Sequence, residues 1–171
     1  MPPPHPIAEH DDAALVAAWR AAAADPAVAA DLDALYADVA AEIRARGPVC
    51  WASGRCCNFV SAGHLLYATG LETAHTLRQL NPDAHPPLTP LTIADARARG
   101  GCPFQSANLC GIHPIRPLGC RIYFCDRSAQ DWQQDLYERA LARLRAIHDD
   151  RGIPYRYAEW RTLLDLFAAH P

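Results

Sequence analysis

Seven cysteines fall at two places in the sequence, and they are the side chains best suited to chemistry in this chain. The first segment, CWASGRCC, holds Cys50, Cys56 and Cys57. The second, CPFQSANLCGIHPIRPLGCRIYFC, holds Cys102, Cys110, Cys120 and Cys125, with gaps of seven, nine and four residues between them. Thiolate sulfur suits zinc and iron–sulfur clusters, and a tetrahedral site needs about four ligands. The sequence therefore predicts that thiolates from both segments gather on a metal.

The spacing of these cysteines bears on which metal they bind. Zinc modules usually carry paired C-x2-C knuckles, and this chain has none. Irregular gaps favour a cluster bound by loops, so iron, as an iron–sulfur cluster, is the leading expectation. A structural zinc site without catalysis is the first alternative. A thiol-redox protein is the second alternative, because Cys56 and Cys57 are adjacent. It is also open whether some of the thiols are structural and simply buried in the core.

Three other side chains near the cysteines are candidates for the same site. His113 lies inside the second segment and is a candidate metal ligand, with an ordinary hydrogen-bonded loop histidine as the alternative. Arg116 and Arg121 flank Cys120, so they are expected to bind a cofactor by donating to thiolates or offsetting its negative charge, or to bind an anionic substrate. A carboxylate or carbonyl partner is the alternative for Arg116. No Ser-His-Asp set or phosphate-binding glycine loop is present, and whether the protein is an enzyme stays open.

The overall composition limits the partners and the compartment. A formal net charge of −3 argues against binding to nucleic acid. All 16 basic residues are arginine, which excludes lysine Schiff-base chemistry. The first residues lack a signal-peptide pattern and no apolar run reaches membrane-spanning length, so the expected location is the cytoplasm. In that reducing compartment, clustered cysteines are more often metal ligands or redox thiols than disulfides. The expected partners are a metal ion or cluster and a small-molecule or protein substrate.

Helices must position the cysteines, because apolar residues recur mostly at spacings of three and four. We expect a mainly α-helical fold, with helices packed around a loop-rich, cysteine-lined metal-binding core. A disordered proline-rich tail covers residues 1–9. A single domain covers 10–171, with N-terminal helices in 10–47, the cysteine-cluster core in 48–127 and C-terminal helices in 128–171. The predicted helical segments are 11–24, 26–46, 61–67, 69–80, 89–99, a turn near 117–121, 131–149 and 157–169.

Several short motifs in residues 50–127 together resemble the YkgJ-type cysteine-cluster family, often described as a putative zinc- or iron-chelating domain. The matching positions are Cys50, Gly54, Cys56 and Cys57, then Cys102-Pro103-Phe104, then Cys110, Ile112, Arg116-Pro117, Cys120-Arg121 and Cys125. The resemblance implies iron or zinc bound by these cysteines. That family in turn resembles the cysteine-rich part of a flagellin lysine methylase, which implies modification chemistry.

The chain departs from the family pattern at two positions. Ser53 stands where the pattern has a cysteine, and His113 stands where it has a tyrosine. A hydroxyl is a poor ligand for a soft metal. We therefore expect an open coordination position with an exchangeable ligand close to Ser53, or its replacement by His113.

Overall fold

The structure, a computed structural model, describes residues 11–50, 53–124 and 126–171, without the side chain of Arg127. The predicted tail, residues 1–9, lies outside the described residues. Eight α-helices occur in the described part of the chain: α1 Asp12–Ala24, α2 Pro26–Arg46, α3 Phe59–Ala62, α4 Gly70–Arg78, α5 Pro90–Ala98, α6 Leu118–Ile122, α7 Gln130–Asp150 and α8 Trp160–Ala169. Short 3-10 helices cover Arg55–Cys57 and Arg127–Ala129. The expectation of a mainly α-helical protein is confirmed.

The helix starts follow the capping residues in the sequence. Asp25 accepts a hydrogen bond from the backbone N–H of Ala27, and Pro26 occupies the first position of α2. Thr69 and Glu72 form a reciprocal capping box at the start of α4. Thr89 opens α5 in the same way, with Thr92 as its partner. Each of these helix starts agrees with the prediction, because a cap depends only on residues within one turn.

Four short strands form two small antiparallel sheets that the sequence did not predict. Strands β1 (Tyr67–Thr69) and β4 (Tyr157–Glu159) form one sheet, and β2 (Gln105–Ser106) and β3 (Leu109–Cys110) form the other. The predicted helix over 61–67 is wrong, since α3 ends at Ala62 and Gly63 has a left-handed conformation. Residues 157–159 are likewise strand and not the start of the last helix. Strands of two or three residues are too short to show an alternating pattern.

Buried side chains form two clusters. The first joins α1, α2, α4 and α7, and includes Trp19, Leu32 and Leu144. Helix α1 crosses α4 so closely that a Cβ on Gly70 would lie 2.2 Å from the Trp19 ring. The Trp19 indole N–H donates to the carbonyl oxygen of Pro154, at 2.7 Å. This first cluster is the frame on which the cysteine-bearing segments rest.

The second cluster includes cysteines. It packs Phe59, Phe104 and Trp160 with Cys57 and Cys102, and Cys56, Cys110 and Cys120 lie against it. Trp160 begins α8, so the C-terminal helix closes this cluster from one side. In the described part of the chain, no helix is both long enough and apolar enough to cross a membrane.

Candidate functional site

Five cysteines from three separate stretches of the chain line one small cavity of about 20 Å³. They are Cys56, Cys57, Cys102, Cys110 and Cys120. The rest of the wall is made by Phe59, Leu66, Ile112, Arg116 and Tyr123. None of the six described cysteines forms a disulfide. The structure therefore brings together five of the seven cysteines predicted as metal ligands.

The first cysteine segment enters this cavity through a tight turn at Gly54. Gly54 has φ +72° and opens the 3-10 helix that carries Cys56 and Cys57. A Cβ on Gly54 would lie 2.7 Å from the side-chain nitrogen of Gln105 and 2.8 Å from the Asn108 carbonyl oxygen. The same Gln105 side chain donates to the Gly54 carbonyl oxygen, at 3.1 Å. Only glycine suits this position, since the backbone is left-handed and the neighbours leave no room.

The second segment is fixed to the first by backbone hydrogen bonds. The N–H of Cys102 donates to the carbonyl oxygen of Cys57 at 2.9 Å, and the N–H of Val60 donates to Gly100 at 3.0 Å. From Cys102 the chain turns into the hairpin of β2 and β3, which returns Cys110 to the cavity. Both turn residues of this hairpin, Ala107 and Asn108, have positive φ, as a two-residue hairpin turn of the mirror-image type requires.

Cys120 reaches the cavity on the short helix α6. The backbone N–H of Leu118, the first residue of α6, donates to a carboxylate oxygen of Glu72 at 2.8 Å. Glu72 is only 1 % exposed and also accepts from the Tyr36 hydroxyl, at 3.2 Å. Desolvation raises the pKa of Glu72. The hydrogen bond between Glu72 and Leu118 joins residues 46 positions apart, and no local signal in the sequence indicates it.

Four of the five cavity thiols are hydrogen-bonded, with Cys57 as the donor. The thiol of Cys57 bonds to those of Cys102, Cys110 and Cys56, which raises its own pKa well above the ordinary value. The same bonds lower the pKa of Cys56 to about 6 and that of Cys110 to about 7, and they also lower the pKa of Cys102. Cys57 has a single S–H and serves one acceptor at a time. Burial raises the pKa of Cys120.

Two buried donors favour negative charge on these sulfurs. Arg116 lines the cavity and helps to lower the pKa of Cys56 and Cys110, and its buried Nε has no hydrogen-bond partner. The indole N–H of Trp160 is buried without a formed hydrogen bond, yet it lies close enough to help lower the pKa of Cys102. Buried donors without partners are costly, and a thiolate would be a suitable acceptor for such donors. The wall of the cavity thus suits sulfur in its deprotonated form.

The second predicted cofactor-binding arginine has a different environment. The Arg121 guanidinium lies over the Tyr36 ring, 4.1 Å from its centroid, and donates to the Pro114 carbonyl oxygen at 3.1 Å. Its Nε is also buried without a partner. Arg121 does not line the cysteine cavity. Its contacts place it between the loop before α6 and helix α2.

Two other predicted metal ligands, Cys50 and His113, lie outside the cavity. Cys50 is exposed at the end of the segment after α2, and His113 is exposed on the turn before α6. Neither residue lines the cavity. Ser53 is exposed as well, and its hydroxyl oxygen accepts from the Arg55 N–H at 3.4 Å. Cys125 lies outside the described residues.

The described part of the chain contains no group of three or more His, Cys, Asp or Glu side chains arranged so that they hold a metal ion. In the cavity, the Cys57 thiol is hydrogen-bonded to those of Cys56, Cys102 and Cys110. A metal ligand must be a thiolate, so a bound metal would replace these hydrogen bonds with sulfur–metal bonds. The donor set fits a thiolate-bound metal in its chemistry.

Comparison of the chain with protein-family models, curated protein sequences and solved structures gave no significant match. The resemblance to the YkgJ-type family therefore rests on the motif residues, and it stays a prediction.

Proposed function

We propose that this protein binds iron, as an iron–sulfur cluster, through the thiolates of the five cavity cysteines: Cys56, Cys57, Cys102, Cys110 and Cys120. The observation that carries the proposal is that these five side chains, from three stretches of the sequence, line one small cavity. Soft thiolate donors are the ligands that iron–sulfur clusters use. A cluster held here would supply one-electron transfer, and the protein's location would be the cytoplasm, where thiols stay reduced.

The electrostatics of the cavity support binding of a cation. The pKa of Cys56 is lowered to about 6 and that of Cys110 to about 7, so negative charge on these sulfurs is favoured near neutral pH. Several thiolates close together repel one another, and a metal ion relieves that repulsion. Arg116 offsets part of the remaining negative charge of a thiolate-bound cluster.

A single zinc ion in a closed thiolate site is the second candidate, and the size of the cavity favours it. About 20 Å³ is room for roughly one water-sized group, so a polynuclear cluster requires the cysteines to move apart. Four thiolates around one zinc ion take up less room than a polynuclear cluster. Such a site would stabilise the fold without reacting.

A thiol-redox protein is the third candidate. The adjacent residues Cys56 and Cys57 have hydrogen-bonded side chains, and the pKa of Cys56 is lowered to about 6. A low-pKa thiolate beside a second thiol is the arrangement of redox-active cysteine pairs. This candidate requires the cavity to hold no metal in the native protein.

Anaerobic purification followed by metal and acid-labile sulfide analysis separates the three candidates. Iron with sulfide and a visible charge-transfer band supports the proposal. A colourless protein with one zinc ion per chain replaces it with the structural zinc site. The thiol-redox function replaces it if the protein is metal-free and its thiols react with a thiol reagent. Cys56 and Cys57 should then form a disulfide on mild oxidation.

A matched pair of variants tests which cysteines bind the metal. Cys57→Ser removes the thiol at the centre of the cavity, and we expect most of the metal to be lost. Cys50→Ser changes a cysteine that is exposed and outside the cavity. Metal retained in Cys50→Ser and lost in Cys57→Ser supports the five-cysteine site. Equal loss in both variants supports the larger ligand set that the sequence predicts.

A further inference from the structure

A second and larger cavity lies directly beside the cysteine cavity. It has a volume of about 400 Å³ and is bounded by β1 and β4, helix α6 and the first half of α7. Leu66 and Tyr123 line both cavities and so form the wall between them. Pockets for small molecules usually measure about 300–1,000 Å³. The second cavity therefore has the size of a small-molecule binding site.

Aromatic side chains dominate this second cavity. Four of the six tyrosines in the chain line it, namely Tyr67, Tyr123, Tyr137 and Tyr157. The rings of Tyr67 and Tyr157 are stacked, with centroids 5.5 Å apart and planes at 21°. The hydroxyl of Tyr157 is hydrogen-bonded to that of Tyr137, which fixes the ring of Tyr157. Tyr67 remains 40 % exposed, so the stack ends in a ring that a ligand can reach.

The apolar surface next to Tyr67 is also uncovered. Leu65 lines the same cavity and is 51 % exposed. A planar ring placed on Tyr67 would extend the existing stack and cover part of Leu65. Stacking between aromatic rings and burial of apolar surface both favour this arrangement.

The polar groups of the cavity are amides, phenols and the imidazole of His64, which is stacked on Tyr123. No Asp, Glu or Arg is among the described residues that line it. Three glutamines supply amide groups: Gln130, Gln133 and Gln134. The amide of Gln133 is held by the backbone of Phe124, with its oxygen accepting at 2.9 Å. A charged ligand would lose hydration here without gaining a counter-charge, which disfavours an anion.

A cationic ligand is also disfavoured by the arrangement of the rings. Recognition of a cation by aromatic residues needs ring faces directed at the charge. Here the ring of Tyr67 is stacked on Tyr157, and that of Tyr123 is stacked on His64 with centroids 4.3 Å apart. Each of these rings has one face covered by its partner, so the pairs do not form an aromatic cage around a charge.

From these contacts we propose that the second cavity binds a neutral, planar aromatic small molecule. Its ring stacks on Tyr67, and its polar edge bonds to the Gln130 amide and the Gln134 side-chain oxygen. The Gln133 amide is held by Phe124, and the Gln134 nitrogen donates to Glu138. This site is distinct from the cysteine cavity and does not depend on a metal being bound there.

A panel of matched probes tests the class of ligand on the purified full-length protein. The probes are naphthalene carboxamide, naphthalene carboxylate, naphthyl trimethylammonium and decahydronaphthalene carboxamide. They share one size and differ in charge or in planarity. Binding is measured by calorimetry and by the NMR shifts of tyrosines labelled with carbon-13. The neutral planar carboxamide should bind most tightly and shift Tyr67 and Tyr157, while Tyr36, buried beside Glu72, stays unchanged.

Three variants connect that binding to the stack. Tyr67→Ala should weaken binding of the carboxamide by about tenfold, since it removes the stacking ring. Tyr67→Phe keeps the ring and should bind like the unchanged protein. Leu91→Ala, which alters an exposed apolar residue outside the cavity, is the control and should have no effect.

The proposal is overturned by any of several results. Tighter binding of a charged probe would show that the site does not select a neutral ligand. Equal binding of the saturated carboxamide would show that it does not select a planar ring. Shifts confined to tyrosines outside the cavity, or no binding by any probe, also overturn it. If Tyr67→Ala fails to fold, the probe panel and the tyrosine shifts on the unchanged protein still decide the question.

Discussion

The backbone N–H of Cys102 donates a hydrogen bond of 2.9 Å to the carbonyl oxygen of Cys57. This bond joins the two cysteine segments, which are separated by helices α3, α4 and α5 in the sequence. It lies beside the cavity, because both residues have side chains in its wall. The two segments pass so close to each other that a Cβ on the neighbouring Gly101 would lie 3.1 Å from the Cys57 carbonyl oxygen. Backbone contacts of this kind hold the thiols together independently of any metal.

Replacing Gly54 should disturb both the fold and the cavity. Gly54→Ala adds a Cβ at 2.7–2.8 Å from the Gln105 side chain and the Asn108 backbone, and forces alanine into a left-handed conformation. Gly47→Ala is the matched control, because Gly47 has φ +61° but nothing within 4 Å. The control should lose about 1 kcal/mol of unfolding free energy from the backbone alone. Gly54→Ala should lose clearly more and should also bind less metal.

Urea unfolding followed by circular dichroism gives the two free energies, and metal analysis gives the occupancy. Equal destabilisation of the two variants, with full metal in both, would show that the hairpin of β2 and β3 does not pack tightly on Gly54.

Local signals in the sequence were enough to predict the capped starts of α2, α4 and α5 but not the strands or the cavity. Asp25, Thr69 and Thr89 act within one turn, so their caps were predictable. Strand β4 exists because Tyr157 pairs with Thr69, nearly 90 residues earlier, and no local pattern encodes that pairing.

The same limit applies to the cysteines. Residue type predicted a thiol site, yet Cys50 and Cys57 look alike in sequence and only Cys57 lies in the cavity. Cys57 is placed in the cavity by the turn at Gly54 and by the hydrogen bond from Cys102, and these contacts are tertiary features. The role of Glu72 at the start of α6 was missed for the same reason.

Glu72→Gln should destabilise the protein by about 2 kcal/mol. The new NH2 group would face N–H and O–H donors from which the carboxylate now accepts hydrogen bonds. Those donors include the N–H of Leu118 and the hydroxyl of Tyr36. Glu42→Gln is the control: Glu42 forms a partly exposed ion pair with Arg139, and its loss should cost less than about 1 kcal/mol. Thermal and urea unfolding compare the two. A smaller effect at Glu72 than at Glu42 would contradict its role in anchoring α6.

Arg116→Gln should weaken metal binding about tenfold, since a neutral side chain no longer offsets the charge of the thiolates. Cobalt(II) is the probe, because its sulfur charge-transfer bands report thiolate binding directly. Arg55→Gln, an exposed arginine beside Cys56, is the control and should change the affinity little. Equal cobalt affinity in both variants would mean that Arg116 does not act on the site.

In reduced, metal-free protein, alkylation of Cys56 should follow its thiolate fraction, with a midpoint at about pH 6. Below that pH the thiol is protonated and should react slowly; above it the thiolate should react fast. Cys57→Ala removes the main cause of the lowered pKa and should move the midpoint upward. Iodoacetamide labelling read by peptide mass spectrometry measures the profile, with Cys50→Ser as the unchanged control. A midpoint that stays at about pH 6 in Cys57→Ala would contradict the hydrogen-bond account.

X-ray absorption at the edge of the bound metal tests the thiolate site most directly. The native protein, purified without oxygen, should show a shell of sulfur atoms at about 2.3 Å from the metal. That shell should lose amplitude in Cys110→Ser and stay the same in Cys50→Ser. A metal surrounded only by oxygen and nitrogen, or a protein that carries no metal at all, would contradict the proposal that the five-cysteine cavity is a metal site.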